Sequence, residues 1–176
     1  MRIATLLTTA GLILLGTIAF ADSVTYDFDR AANFSRFRTY TWVSGTNLQD
    51  ELNHKRVVHA VQTQFSSKGL ARVEGTAPAD LLVAYHVSFS TDIQINASSS
   101  GFGPYGVGGS RFGSARTEEV LVGTLVLEMK DAATQSVVWR GLVSIDIDPK
   151  ASPEKREKNA NATAAKLLKN YPPKQK

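Results

Sequence analysis

Apolar residues take every second place over two neighbouring runs of the chain. In the first run Leu121, Leu125, Leu127 and Met129 alternate with other residues, and Gly123 stands in their row. In the second, Val137, Trp139, Val143, Ile145 and Ile147 do the same, with Gly141 among them. A period of two marks a strand with one buried face. The connection Asp131-Ala-Ala-Thr-Gln-Ser136 is polar, so the pattern predicts a hairpin over 117–130 and 136–148. A two-stranded hairpin is marginal in water, so other segments must cover its apolar face.

The same period recurs upstream. Val24, Tyr26 and Phe28 alternate in a first short strand, and Thr39-Tyr-Thr-Trp-Val43 is a β-branched and aromatic second one. Between them, a connection carries Phe34 and Phe37. Residues 80–90 alternate clearly, with Leu81, Val83, Tyr85, Val87 and Phe89 on one side. A short strand is predicted at 70–74. Two segments change to helical spacing. Over 50–68, His54, Val58, Val61 and Phe65 recur with Val57 beside them. Asn47 or Asp50 is placed to cap the start, and Gly69 to end the helix in a left-handed conformation that turns Leu70 back onto it. The last helix opens on Ser152-Pro153-Glu154, with serine as cap and proline at the first helical position. Its stripe is Ala160, Ala164, Leu167, Leu168 and Tyr171, and Pro172-Pro173 stops it.

Residues 97–116 lack a period and hold six glycines and Pro104, which predicts a flexible loop between two strands. The first residues lie outside the fold. Arg2 precedes a mostly apolar run over 3–20, and Ala19-Phe20-Ala21 has the small-x-small form of a signal-peptidase site. The expectation is a signal peptide over 1–21, cleaved after Ala21, followed by a single domain over 22–176 that is periplasmic or secreted. With no cysteine in the chain, disulfides, thiolate metal sites, cysteine nucleophiles and a lipidated N-terminal cysteine are excluded. No later segment is apolar enough to cross a membrane.

Charge is uneven. Residues 149–176 carry eight Lys/Arg against two acids, net +6, while residues 22–148 carry eleven against fourteen, net −3. Such asymmetry suggests an acidic partner or self-docking. Export argues against nucleic acid as that partner.

Ordered motifs then point to a family. Tyr26-Asp-Phe-Asp29 and Asn33-Phe-Ser-Arg-Phe-Arg-Thr-Tyr-Thr-Trp42 open the series. Lys68-Gly69-Leu70, Ala79-Asp-Leu-Leu-Val-Ala-Tyr85 and Gly123-Thr-Leu-Val-Leu127 follow, and Val138-Trp-Arg-Gly141 and Tyr171-Pro-Pro173 close it. The set resembles the bacterial family of small exported or lipoprotein-like domains known as domain of unknown function 4136, over almost all of the mature chain. The resemblance implies location and fold. It implies no activity.

Constellations that carry chemistry are sparse. His54 and His59 stand about 140° apart on one helix, and His86 lies on the polar side of a strand, so three ligands do not converge as zinc requires. Asp146 and Asp148 share a side, but two carboxylates fall short of a calcium shell; they are expected to solvate the outer face and meet the basic helix. Gly101-Phe-Gly-Pro-Tyr-Gly106 spells a dinucleotide motif, yet Pro104 interrupts it and no helix follows. No signature of a serine-histidine-acid set is present. Trp42 and Trp139 read as core.

The fold class expected is α+β: an antiparallel-dominated sheet of about five to six strands with two helices packed on one face. The sheet is mixed if residues 39–73 form a parallel β-α-β crossover. The function expected is a non-catalytic binding or structural module of the cell envelope, without cofactor or metal. Its partner would be an envelope protein or an anionic envelope component, met by Lys155, Arg156 and Lys158 of the last helix. Phe102, Tyr105 and Arg111 of the glycine-rich loop are further partner-binding candidates. The alternative is a small-ligand protein holding a lipid or cell-wall fragment between sheet and helices, which a pocket-free core would count against. A hydrolase would need an acid, base or nucleophile gathered in a cleft.

Overall fold

The computed structural model describes residues 23–46, 48–75, 77–98 and 114–174. In chain order it has β1 (Ser23–Phe28), a 3-10 turn (Phe34–Arg36), β2 (Thr39–Trp42), α1 (Glu51–Ser67) and β3 (Ala71–Arg72). Then come β4 (Leu81–Ser98), β5 (Ser114–Asp131), β6 (Val137–Ile147) and α2 (Pro153–Leu167). The strands form one sheet in the order β1-β6-β5-β4-β2-β3. The β5–β6 hairpin is at its centre, with Leu125 opposite Val143 and Leu127 opposite Gly141. Most pairings are antiparallel, but β2 runs parallel to both β3 and β4. The sheet is therefore mixed, and β2-α1-β3 is the crossover unit.

Local chemistry sets the helix ends. Asp50 Oδ1 accepts from the Leu52 and Asn53 amides at 3.0 and 3.1 Å and caps α1. Gly69 follows at φ +80°, and the Leu70 amide donates to Phe65 O at 3.0 Å. This is the six-to-one closure of a left-handed helix end, and it buries Leu70. Ser152 Oγ caps α2 by accepting from the Lys155 amide at 3.3 Å.

Both helices cover the same face of the sheet. Ala60, Val61 and Phe65 of α1 meet Ala164, Leu167 and Leu168 of α2 over Leu127, Met129, Trp139 and Val143. Phe34 and Phe37 from the connection after β1 join the same cluster, as does Tyr171 beyond α2. Both tryptophans belong here, Trp139 fully buried and Trp42 packed at the margin.

One sequence boundary is corrected. The stretch expected as loop over 97–116 is strand at both described ends, with Ala97 paired to Ala115 and Ser98 to Ser114. The physical reason is alternation that continues past Ser90: Ile93, Ile95 and Ala97 share a row between Asp92, Gln94 and Asn96. Residues 99–113 lie outside the described residues, as does the predicted signal peptide.

Candidate functional site

The inner face of the sheet changes character along its length. At one end it carries the bulk of Leu127, Met129 and Trp139. At the other, Gly123 leaves a place on β5 without a side chain, and the facing helix positions are small: Val57 and Val61 on α1, Ala160 and Ala164 on α2. Helix and sheet cannot close over so little side-chain volume, and a cleft of about 700 Å³ remains between them. Such a volume is in the usual range for a small-molecule site, about 300–1,000 Å³.

Its floor is Val87 and Phe89 of β4, Leu121 and Leu125 of β5, and Ile145 and Ile147 of β6. A β-carbon on Gly123 would stand 3.0 Å from Ile147 Cδ1 and 3.5 Å from Phe89 Cε1. These side chains therefore lean over the glycine. Phe89 stays 55% exposed, a large apolar ring at an opening rather than in a core.

The walls carry the polar groups. Asp50, Asn53 and Arg56 come from the start of α1, and Arg156, Asn159 and Thr163 from α2. Arg56 donates from Nη1 to Asn53 Oδ1 at 2.8 Å. Arg156 donates from Nε to Ala151 O at 3.0 Å and from Nη2 to Pro149 O at 2.8 Å. An arginine has five N–H donors, so both keep donors to spare. The acids are committed. Asp50 Oδ2 accepts from Asn53 Nδ2 at 2.9 Å in addition to its capping bonds. Asp148 pairs with Lys155 Nζ at 2.9 Å and accepts the Lys150 amide at 2.9 Å. The Lys155 bond, then the Lys150 amide, hold the Asp148 carboxyl below the ordinary carboxylate range.

Thr46 and residues 48–50 close one side. The Thr46 amide donates to His86 Nδ1 at 3.1 Å. The Leu48 amide donates to Tyr85 Oη at 3.4 Å, and His54 Nδ1 bonds the same hydroxyl. Burial pushes the Tyr85 phenol above its ordinary pKa. His59 is exposed on the far side of α1. Among the described residues, no group of three or more His, Asp or Glu side chains gathers as a metal site.

The candidates from sequence divide. Arg156 lines the cleft and is turned to two backbone carbonyls, while Lys155 lies outside its lining, paired with Asp148. Lys158 is exposed on α2. Phe102, Tyr105 and Arg111 lie outside the described residues. Asp148 meets the basic helix as expected, and Asp146 also borders the cleft. Arg56, Asn53, Asn159 and Thr163 were not singled out in sequence. The available signal was a shortage of volume: glycine in a row of leucines, facing helix stripes of valine and alanine.

The family model for a domain of unknown function (DUF4136) matches residues 24–173. The chain belongs to the DUF4136 family. Solved structures share its fold at low identity. A DUF4136 family protein from Bacteroides thetaiotaomicron is 16% identical with a TM-score of 0.54, covering 86% of this chain and 96% of that one. A PelC dodecamer subunit from Paraburkholderia phytofirmans is 14% identical with a TM-score of 0.51, covering 84% and 95%. A PDZ domain protein from Parabacteroides distasonis is 13% identical with a TM-score of 0.54; the match covers 87% of this chain and 36% of that longer chain. No curated protein matches the sequence.

Proposed function

We propose that this DUF4136 domain is a non-catalytic binding module of the cell envelope, and that the cleft between its helices and β4–β6 is a small-ligand site. The observation that carries the reading is the cleft itself, about 700 Å³ with an apolar floor. Hydrophobic surface held open at that scale is costly unless something covers it, at roughly 25 cal/mol per Å². The polar groups at the mouth suit holding rather than reacting. They are guanidinium, amide and carboxylate, with Asp50 spent on the helix cap and Asp148 on Lys155, and no histidine or carboxylate bonds the Thr163 hydroxyl among the described residues. The envelope part rests on the apolar run at 3–20 and its Ala19-Phe20-Ala21 site. Among the described residues no helix is long and apolar enough to cross a membrane.

The test is titration with an apolar environment-sensitive fluorophore. The wild type should bind it in a saturable way, and Ala160→Leu, which adds carbon atoms inside the cleft on a good helix former, should weaken binding about ten-fold while circular dichroism stays unchanged. Equal binding by the two proteins, or none by either, would remove the site.

A second reading concerns the outer face of α2, where Lys158 and Lys169 are exposed. An envelope protein or anionic envelope component is the partner that face would suit. Binding to anionic vesicles that falls with salt, and falls again in Lys158→Gln/Lys169→Gln, supports it; salt-insensitive binding counts against it.

A further inference from the structure

We propose that the ligand of this cleft is an anionic amphiphile with a single acyl chain, its head held by Arg56 and Arg156; the inference rests on the reading of the cleft as a ligand site. Polarity runs in one direction along both walls. On α1 the lining passes from Asn53 and Arg56 to Val57 and Val61. On α2 it passes from Arg156 and Asn159 to Ala160 and Ala164, with the buried Thr163 the one polar side chain among the later turns. Both helices thus turn polar first turns to one end of the cleft and apolar later turns to the other. A ligand matching this gradient has a polar head and an apolar tail.

The sign of the head follows from the groups left unspent. Arg56 uses one donor and Arg156 two, on neutral acceptors. Both therefore keep their full charge and several N–H groups for a carboxylate or phosphate. The neighbouring acids are engaged elsewhere: Asp50 caps α1, and Asp148 is paired with Lys155. That leaves Asp146, and Glu154 at the edge of the site, against the two partly buried arginines. Arg56 also reaches α2, since its charge helps hold the Glu154 carboxyl below the ordinary range, after the Glu154 amide and Ser152. The two arginines therefore serve one end of the site. The cleft lies between the two helices and the sheet, and its volume of about 700 Å³ suits one small ligand, hence one chain rather than two.

Carboxylate and phosphate heads share this chemistry, and the experiment separates them. A saturated fatty acid, a lysophosphatidylglycerol, a lysophosphatidylcholine and a monoacylglycerol of equal chain length are titrated into the purified protein by calorimetry, below their critical micelle concentrations. At least one anionic ligand should bind with one-to-one stoichiometry and about ten-fold more tightly than the monoacylglycerol, as a charged hydrogen bond allows. Whichever of the two anions binds better identifies the head. Arg56→Gln should remove most of that preference while changing monoacylglycerol binding by less than about two-fold. Arg56→Lys should restore part of it, which separates loss of charge from loss of fold. Equal affinity for charged and neutral heads, or an equal loss for both in Arg56→Gln, overturns the anionic head and leaves the cleft as a ligand site. Failure of every amphiphile to bind overturns the cleft reading and this inference together.

Discussion

A β-carbon on Gly141 would stand 2.3 Å from Cη2 of Trp139 and 2.8 Å from Cδ1 of Leu167. The glycine is there because the indole folds over its place in the row. Gly141→Ala should therefore destabilise by about 1–3 kcal/mol through overpacking, and much less in a Trp139→Leu background, a coupling that chemical denaturation of the four proteins would reveal. Trp139→Ala should cost about 3–5 kcal/mol, since the ring is fully buried. Its place in the core was legible from alternation alone. Asp131 was not. It is nearly buried, and its carboxylate takes an ion pair from Arg36 together with the Ala133 amide at 2.9 Å. Arg36 is 95 residues away, and no local pattern announces a contact of that separation. With the arginine half exposed, Arg36→Gln should cost about 1–2 kcal/mol, less than a fully buried pair.

Elements were legible where one period ran unbroken and was bounded by a stop signal. The helix 51–67 has a carboxylate cap and a glycine end, and both were visible. At φ +80° with open space around it, Gly69 tests the backbone term by itself. Gly69→Ala should cost about 1 kcal/mol from conformation without any clash. The strand after it shrinks to two residues because it has only β2 as a neighbour. The β4–β5 hairpin is longer than expected because its polar row, Asp92, Gln94 and Asn96, sits beside isoleucines and reads as loop composition. The entry to β2 depends on Asp80, whose Oδ2 accepts the Arg38 and Thr39 amides at 2.8 and 2.9 Å and the Thr39 hydroxyl at 3.0 Å. The Arg38 amide, acting against desolvation and with Thr39, holds this carboxyl low. Burial raises the Glu128 carboxyl, but its bonds to Arg140 and Lys130 outweigh that and bring it below the ordinary value. A carboxyl that is lower in the folded state takes up its proton first in the unfolded chain. The stability these two groups contribute is therefore complete above about pH 4–4.5 and is lost as the pH falls through their folded values. Urea midpoints measured from pH 3 to 7 should show that acid limb, and Asp80→Asn should flatten it.

At the scale of the whole molecule, the cleft exists because three elements from distant parts of the chain each bring something small or short to one place. Gly123, Val57, Val61, Ala160 and Ala164 are each unremarkable in their own windows, and a stripe of small residues reads equally well as tight packing. The fold was legible from periodicity, whereas this site depends on helices settling over a sheet end with too little side chain to fill it. The same arrangement makes a ligand a structural bridge. A molecule in the cleft touches α1, α2 and three strands at once, and those contacts vanish on unfolding. It should stabilise the folded state by RT ln(1 + [L]/Kd), about 2.7 kcal/mol at a hundred-fold excess over Kd. For a chain of this length each kcal/mol moves the melting temperature by roughly 2–4 °C, so saturating lysophosphatidylglycerol should raise it by about 5–11 °C. Ala160→Leu, with binding about ten-fold weaker, should roughly halve the rise while keeping a melting temperature without ligand near that of the wild type. Lys158→Gln, on the exposed side of α2, should keep the full rise. A rise that Ala160→Leu leaves undiminished but that disappears with Lys158→Gln would place the amphiphile on the outer face of α2 and leave the cleft without its ligand.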